Sequence, residues 1–178
     1  TGTVSYSDFA ASGSAAPVNP QRFSFDHPWY VLYSSGTTGI PKCIVHRAGG
    51  VLLQHMKEHQ LHCDIQQADR VMYFTTTGWM MWNWLIAGLS CGVSLILYDG
   101  SPFHPTPERL FDIGQETQPN LFGVSAKYIE AVMKEGLTPI HTHNFESIKV
   151  LASTGSPLAP EGFEEFQNFI TIRGVVQD

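Results

Sequence analysis

A run of small, hydroxyl-bearing residues that includes two glycines is the part of this sequence best suited to hold phosphate. The glycines permit positive φ angles, so backbone N–H groups can turn inward and form an anion-binding concavity. Four hydroxyls can donate hydrogen bonds to phosphate oxygens, and Lys42 adds a compact positive charge. The run predicts a phosphate-binding loop, and the alternative is a polar surface turn. It reads Tyr33-Ser34-Ser35-Gly36-Thr37-Thr38-Gly39-Ile40-Pro41-Lys42.

This loop differs from the common nucleotide-binding motif G-x-x-x-x-G-K-[ST]. That motif places lysine directly after the second glycine and a helix after the lysine. Here Ile40 and Pro41 intervene, and the residues from Lys42 to Val45 have the composition of a strand. Trp29 to Tyr33 is a second aromatic and β-branched run. We therefore expect the loop to join two strands.

Two later segments place polar, turn-forming residues directly after a predicted strand. Val71–Phe74 is followed by three threonines and Gly78, and Ile148–Leu151 is followed by Ala152 and the run from Ser153 to Leu158. In open α/β sheets, ligands bind beyond the carboxyl ends of the strands. We expect both segments to face the phosphate loop across one cleft.

An aromatic and sulfur-rich segment, Trp79–Ile86, follows the first of these turns at helical spacing. A core helix explains most of its side chains, but Asn83 has no apolar role in such a helix. The alternative is that the segment forms the wall of a pocket for a small organic group.

A predicted helix from Val51 to Cys63 carries a row of imidazole and thiol side chains. His55, His59, His62 and Cys63 lie at i, i+4, i+7 and i+8, so they share one face. Such a row can bind a transition metal. No carboxylate accompanies it on that face, so a polar or interface face is the favoured interpretation.

The remaining elements alternate in a way that indicates an α/β fold, a mostly parallel sheet with helices on both faces. Strands are expected over Val93–Tyr98 and Leu121–Val124, with one helix from Thr106 to about Thr117 and another that is capped by Ser125 and ends before Gly136. Residues 1–22 are small and polar and predict a linker. The domain then covers residues 23–170, and residues 171–178 form an atypical end.

Composition narrows the functional class. Of 178 residues, 43% are hydrophobic and 15% charged, and the net charge of −6 includes no basic run, so no nucleic acid is expected as a partner. Three cysteines without metal-type spacing favour a reducing, cytoplasmic setting. The uncharged window from Trp79 to Leu97 resembles a membrane span, but its glycines and serines favour a buried helix followed by a strand.

Taken together, the Ser34–Lys42 loop, the Gly78-Trp79 strand end and the Ser153–Leu158 run resemble the adenylate-forming superfamily of acyl-CoA synthetases. The resemblance covers roughly residues 23–170. It implies an ATP-dependent ligase that first forms an acyl-adenylate and then an acyl-CoA. ATP, coenzyme A and a short acid such as acetoacetate are the implied substrates, with Mg²⁺ as cofactor.

The resemblance also implies roles for individual residues. Residues Ser34 to Gly39 and Lys42 would contact the β- and γ-phosphates, and Lys42 and Thr38 would stabilise the leaving pyrophosphate. Gly155, Ser156 and Pro157 would lie against the adenine. Trp79, Trp82 and Asn83 fall where the family builds its acyl pocket, with Asn83 as a hydrogen-bond partner for a 3-oxo group.

Some family features are missing from this sequence. The Mg²⁺ ligand, the ribose-binding aspartate and the C-terminal domain with its lysine follow later in the family, and Thr171–Asp178 does not match the family's next strand. Cys43 stands where glycine is frequent. We therefore expect a fragment without full activity, and the alternative is a non-catalytic nucleotide-binding module.

Overall fold

The computed structural model describes residues 2–14, 16–34, 39–157, 160 and 162 and the backbone of 174–177. Its strands are β1 (Pro28–Ser34), β2 (Lys42–Arg47), β3 (Arg70–Tyr73), β4 (Ser94–Ile96), β5 (Leu121–Ser125), β6 (Val150–Thr154) and β7 (Gly174–Gln177). Its helices are α1 (Tyr6–Ala11), α2 (Ala48–Met56), α3 (Met80–Ala87), α4 (Arg109–Thr117), α5 (Ala126–Lys134) and α6 (Pro139–Thr142), with a π-helical turn (Lys57–His62) and a 3₁₀ turn (Gly88–Cys91).

The first two strands form an antiparallel hairpin, as the sequence predicted. Ser34 is the register partner of Lys42, so the pairing runs up to the ends of the connecting loop. The segment before the hairpin is tied to the start of α2, because the backbone N–H of Gly49 donates to the Phe25 carbonyl at 2.9 Å. The Phe25 ring lies where a side chain on Gly49 would have to go.

The other described strands form a five-stranded sheet with the order β4-β3-β5-β6-β7, and every neighbouring pair is parallel. Successive residues of a strand face opposite sides, so β3, β5 and β6 each contribute to two cores. One core includes Met72, Phe122 and Leu151 and packs against α4 and α5. The other includes Tyr73, Leu121 and Ala152 and packs against α3 and against Cys63 and Ile65, which follow the π-helical turn. The predicted parallel sheet with helices on both faces is confirmed.

Several element boundaries differ from the sequence predictions. Helix α4 begins at Arg109, three residues after the predicted cap Thr106, whose carbonyl instead accepts from the Arg109 N–H at 3.2 Å in a preceding turn. Helix α5 begins as predicted, because Ser125 accepts a hydrogen bond from the Tyr128 N–H at 3.2 Å. Strand β4 covers only the centre of the predicted Val93–Tyr98 strand.

Regular structure also occurs at both ends, where none was predicted. Helix α1 lies inside the segment interpreted as a linker, is capped by Ser5 and has no buried residue. The backbone of β7 pairs in parallel with β6 inside the segment interpreted as atypical. The domain boundaries themselves stay a prediction.

Candidate nucleotide and acyl site

The two residues that flank the predicted phosphate loop are paired at the loop end of the hairpin. Ser34 ends β1 and is half-buried, and Lys42 begins β2 and is exposed. Gly39, Ile40 and Pro41 are described, and Gly39 and Ile40 are exposed. The predicted ligands Ser35, Gly36, Thr37 and Thr38 lie outside the described residues. The hairpin frame of the loop is thus confirmed, and its phosphate contacts stay a prediction.

The predicted adenine segment follows β6 at the carboxyl edge of the parallel sheet. Gly155 has a φ of +101°, a conformation that favours glycine and turns the chain away from the strand. Ser156 is half-buried, and Pro157 is exposed. Strand β5 separates this segment from the Thr75–Gly78 turn after β3, so both turns lie on the same edge of the sheet, as expected. That Lys42 shares a cleft with them stays a prediction.

A cavity of about 90 Å³ lies at this edge, and we name it the strand-end cavity. It is bounded by the last residues of β3 and β6, by the first turns of α3 and by the helical segment after α2. Its walls combine thioether and aromatic side chains with a strand-end threonine. The lining residues are Glu58, Cys63, Tyr73, Met80, Met81, Trp84, Ala152, Ser153 and Thr154.

Tyr73 lines the strand-end cavity and is held by contacts with the neighbouring strand. Its ring crosses Gly123 on the neighbouring strand, and its hydroxyl donates to the Val124 carbonyl at 3.3 Å. Burial raises the pKa of Tyr73 to about 12, and the backbone of Thr154 partly opposes that rise. Sequence reasoning missed this residue. A glycine inside the apolar strand Leu121–Val124 was the signal for a close approach of another group.

The three predicted acyl-pocket residues occupy different surroundings. Trp79 is exposed over 70% of its surface. Trp82 lines a cavity of about 420 Å³ with the three threonines after β3 and with Tyr98. Asn83 lines another cavity, of about 270 Å³, beside Trp29 and His55. The described cavities therefore do not unite these side chains, because consecutive helical residues point about 100° apart.

The predicted row of histidines is not a single face. The chain changes to a π-helical turn at Lys57, which shifts the positions that follow. His59 is fully buried, stacks on Trp84 with ring centroids 4.1 Å apart and bonds the His55 carbonyl through Nδ1 at 2.7 Å. His62 is exposed. Burial lowers the pKa of His55 and of His59.

The sequence left two alternatives open: a transition-metal site on the row of histidines, and a membrane span. Within those residues, His, Cys, Asp and Glu side chains form no group of three or more that could hold a metal ion. None of the described helices is long and apolar enough to cross a membrane.

The fold defines a class of protein: an α/β unit with a parallel sheet, turns at the carboxyl edge of that sheet, and a separate hairpin whose strands are joined by a hydroxyl-rich segment of the sequence. The chain belongs to the AMP-binding enzyme family, whose model matches residues 3–177.

Its relatives are acyl-CoA synthetases. The chain is 56% identical over 162 residues to the acetoacetyl-coenzyme A synthetase of Rhizobium meliloti (strain 1021), covering 91% of this chain and 25% of that protein. It is 42% identical over 182 residues to the malonamoyl-CoA synthetase of Penicillium aethiopicum, covering 90% of this chain and 24% of that protein. The structure of acetoacetyl-CoA synthetase from Streptomyces lividans superposes with a TM-score of 0.83 at 41% identity, over 99% of this chain and 29% of that one. The chain spans about a quarter of the length of the curated relatives that it matches.

Proposed function

We propose that this chain is the phosphate-holding and acyl-holding segment of an ATP-dependent acid–CoA ligase that activates acetoacetate. One observation carries the proposal: the β1–β2 hairpin pairs Ser34 with exposed Lys42, the two residues that flank the glycine- and hydroxyl-rich segment of the sequence. Membership of the AMP-binding enzyme family supports the nucleotide as the ligand. The names of the relatives support acetoacetate as the acid and coenzyme A as the acceptor of the acyl group.

The proposed reaction has two steps. A carboxylate oxygen of the acid bonds to the α-phosphorus of ATP, and the bond from that phosphorus to the bridging oxygen breaks, which releases pyrophosphate. The thiol sulfur of coenzyme A then bonds to the acyl carbon, its proton is lost, and AMP leaves. Neither step needs a nucleophile from the protein, so positioning and charge stabilisation are the work of the site.

The phosphate loop supplies that stabilisation in the proposed mechanism. Lys42 and Thr38 neutralise charge on the departing pyrophosphate, together with the other hydroxyls and amides of Ser34–Gly39. Gly155, Ser156 and Pro157 lie against the adenine, a role that suits a turn at the carboxyl edge of the sheet. The described residues contain no cluster that fits Mg²⁺, so no step is assigned to a metal here.

The acid is proposed to be short and to carry a second carbonyl group. Acetoacetyl and malonamoyl, the acyl groups in the names of two relatives, both have a carbonyl on the third carbon. Trp79 and Trp82 are proposed to enclose the acyl end. Asn83 is one candidate for binding the oxygen on the third carbon.

The test uses a chimera in which this chain replaces the matching segment of the Rhizobium meliloti relative. Acetoacetate-dependent exchange between ATP and pyrophosphate reports the first step. Lys42→Ala should lower exchange about 10- to 150-fold, since hydrogen bonds to charged groups are worth about 1.5–3 kcal/mol. Lys134→Ala, which removes another exposed lysine at the end of α5, is the matched control and should leave exchange unchanged.

Two results would overturn the proposal. Exchange at the wild-type rate in Lys42→Ala would remove the phosphate loop from the mechanism. A folded chimera that binds ATP but exchanges with no acid would support the alternative, a non-catalytic nucleotide-binding module.

A further inference from the structure

The junction between β2 and α2 is held by the segment that precedes β1. Strand β2 ends at Arg47 and α2 begins at Ala48, so no loop separates the two elements. The Ala48 N–H donates to the His27 carbonyl at 2.9 Å, and the Gly49 N–H donates to the Phe25 carbonyl at the same distance. Arg47, the N-cap of α2, makes no side-chain cap bond. Because the first N–H groups of a helix lack intrahelical partners, these two carbonyls take the place of a capping side chain.

A side chain adds a third bond between the same two segments. Arg47 Nη1 donates to the Asp26 carbonyl at 2.7 Å. The Phe25 ring lies over Gly49, where a Cβ would overlap it. We name these three hydrogen bonds, together with the ring contact, the junction clamp. The clamp fixes the direction in which β2 enters α2.

Packing between the hairpin and the described helices is incomplete. Within the described residues, the hairpin and the five-stranded sheet are separate sheets. Trp29 and Tyr30 of β1 line a cavity of about 270 Å³ together with residues of α2 and α3. A two-stranded hairpin by itself is marginally stable at best. The direction of this hairpin therefore depends on its junction with α2.

The clamp and the predicted phosphate loop lie at opposite ends of β2. Lys42 begins the strand and Arg47 ends it, so five steps of about 3.3 Å, or roughly 16 Å, separate them. A tilt of about 5° at the junction would therefore move Lys42 by about 1.4 Å. A misplacement of about 1 Å can cost about 100-fold in rate. A small change at the clamp should thus have a large effect at the loop.

We propose that the junction clamp positions the phosphate loop: it fixes the direction of the hairpin relative to α2, and with it the place of Lys42 beside the triphosphate. This inference rests on the proposed function and deepens it. Phe25, Arg47 and Gly49 are positioning residues, because each acts through the hairpin and not on the ligand. Loss of the clamp should weaken the use of ATP and leave the KM for the acid unchanged, since the loop is proposed to contact only the phosphates.

The first experiment removes one hydrogen bond of the clamp and keeps the helix. Ala48→Pro deletes the N–H that donates to His27, and proline suits the first position of a helix, where no intrahelical bond is lost. Arg47 is already extended, with a φ of −104° and a ψ of 143°, as a residue before proline should be. In the same chimera, kcat/KM for ATP in pyrophosphate exchange should fall about 10- to 100-fold, with the KM for acetoacetate unchanged. Arg47→Met, which keeps a long apolar stem and removes the donor, should act in the same direction.

The second experiment tests the ring contact by rescue. Gly49→Ala should also lower kcat/KM for ATP, because the new Cβ displaces the Phe25 ring. Adding Phe25→Ala to that variant removes the ring and should restore most of the loss. Gly50→Ala is the matched control, since a Cβ there would meet nothing within 4 Å, and it should leave exchange unchanged.

A double-mutant cycle with Lys42 separates positioning from a loss of stability. If the clamp acts through Lys42, Ala48→Pro should cost much less in a Lys42→Ala background than in the unsubstituted chimera. A variant that is only less stable would lower kcat with every KM unchanged, and its loss would multiply with that of Lys42→Ala. Urea unfolding followed by circular dichroism reports the stability of each variant.

The outcomes separate this inference from the function on which it rests. A folded Ala48→Pro variant that exchanges with unchanged kcat/KM for ATP overturns the clamp, and so do equal losses with and without Lys42. A loss in Gly49→Ala that Phe25→Ala does not reverse overturns the ring contact. If the proline variant does not fold, Arg47→Met decides by the same criteria. Absence of acid-dependent exchange in the unsubstituted chimera rejects the proposed function, and this inference with it.

Discussion

The crossing of Tyr73 over Gly123 predicts that one added methyl group will destabilise the whole sheet. In Gly123→Ala, the new Cβ would lie 2.6 and 2.7 Å from two atoms of the Tyr73 ring, with a third atom closer still. Gly123 sits in a central strand with neighbours on both sides. Because β5 is paired on both sides, the backbone of Gly123 cannot easily shift, and the Tyr73 ring has to move instead.

The magnitude follows from what the ring would lose. Overpacking in a well-packed core costs about 1–3 kcal/mol. A displaced ring also gives up the hydrogen bond from its hydroxyl to Val124, worth about 1 kcal/mol. We expect the free energy of unfolding to fall by about 2–4 kcal/mol. For a chain of this size, that is a loss of roughly 4–16 °C in Tm.

Urea unfolding of the chain, followed by circular dichroism, measures this loss. Gly50→Ala is the matched control, because Gly50 lies in α2 and a Cβ there would meet nothing within 4 Å. The same substitution should then stabilise the chain by about 0.5–1 kcal/mol, as expected for alanine in a helix. A loss of stability in Gly123→Ala together with a gain in Gly50→Ala would indicate that the Tyr73 ring, and not the change from glycine to alanine itself, causes the loss.

A double-mutant cycle identifies the cause. With Tyr73→Ala in the background, Gly123→Ala should cost much less, since the ring that it meets is gone. Equal costs in both backgrounds, or a Gly123→Ala variant as stable as the wild type, would refute the packing of the Tyr73 ring against Gly123.

Two further predictions concern stability alone. Burial lowers the pKa of His55 and His59, so the unfolded chain binds protons that the folded chain does not. The free energy of unfolding should therefore fall as the pH drops below about 6.5, by up to about 1.4 kcal/mol per pH unit for each histidine. Urea unfolding at pH 7.5 and pH 5.5 measures this dependence of stability on pH. If the dependence is no smaller in His59→Phe, His59 does not contribute to it. Asp69 accepts from Lys149 at 3.0 Å and from the Gln66 N–H at 2.8 Å while nearly buried, so Asp69→Ala should cost about 1–3 kcal/mol, whereas a loss no larger than that of the exposed Asp8→Ala would argue against it.

Local chemistry was readable from the sequence where a run of neighbouring residues carries it. The phosphate loop was recognisable because its hydroxyls, glycines and lysine lie within ten consecutive positions. The hairpin followed from two β-branched runs around it, and the structure confirms it. Alternation of strands and helices predicted the parallel sheet, since such a sheet needs crossover helices. These features depend on residues close together in the chain.

The surroundings of the side chains on α3 and on the helical segment after α2 depend on helix geometry, which the sequence pattern did not predict correctly. Trp82 and Asn83 are adjacent in the chain, and the sequence placed them in one pocket. The structure places them in two cavities, because adjacent positions on α3 face different partners. Likewise, a π-helical turn after α2 buried His59 and left His62 exposed, a shift that ideal helical spacing does not contain.

The sequence by itself predicted most strands and helices of this protein, the family that they resemble, and the residues expected to bind phosphate. Only the tertiary structure decided which side chains meet at the carboxyl edge of the sheet. Tyr73 and Thr154 are 81 positions apart and share one cavity because parallel pairing through β5 brings the ends of their strands together. The lone glycine of β5 leaves the tyrosine ring room to reach across.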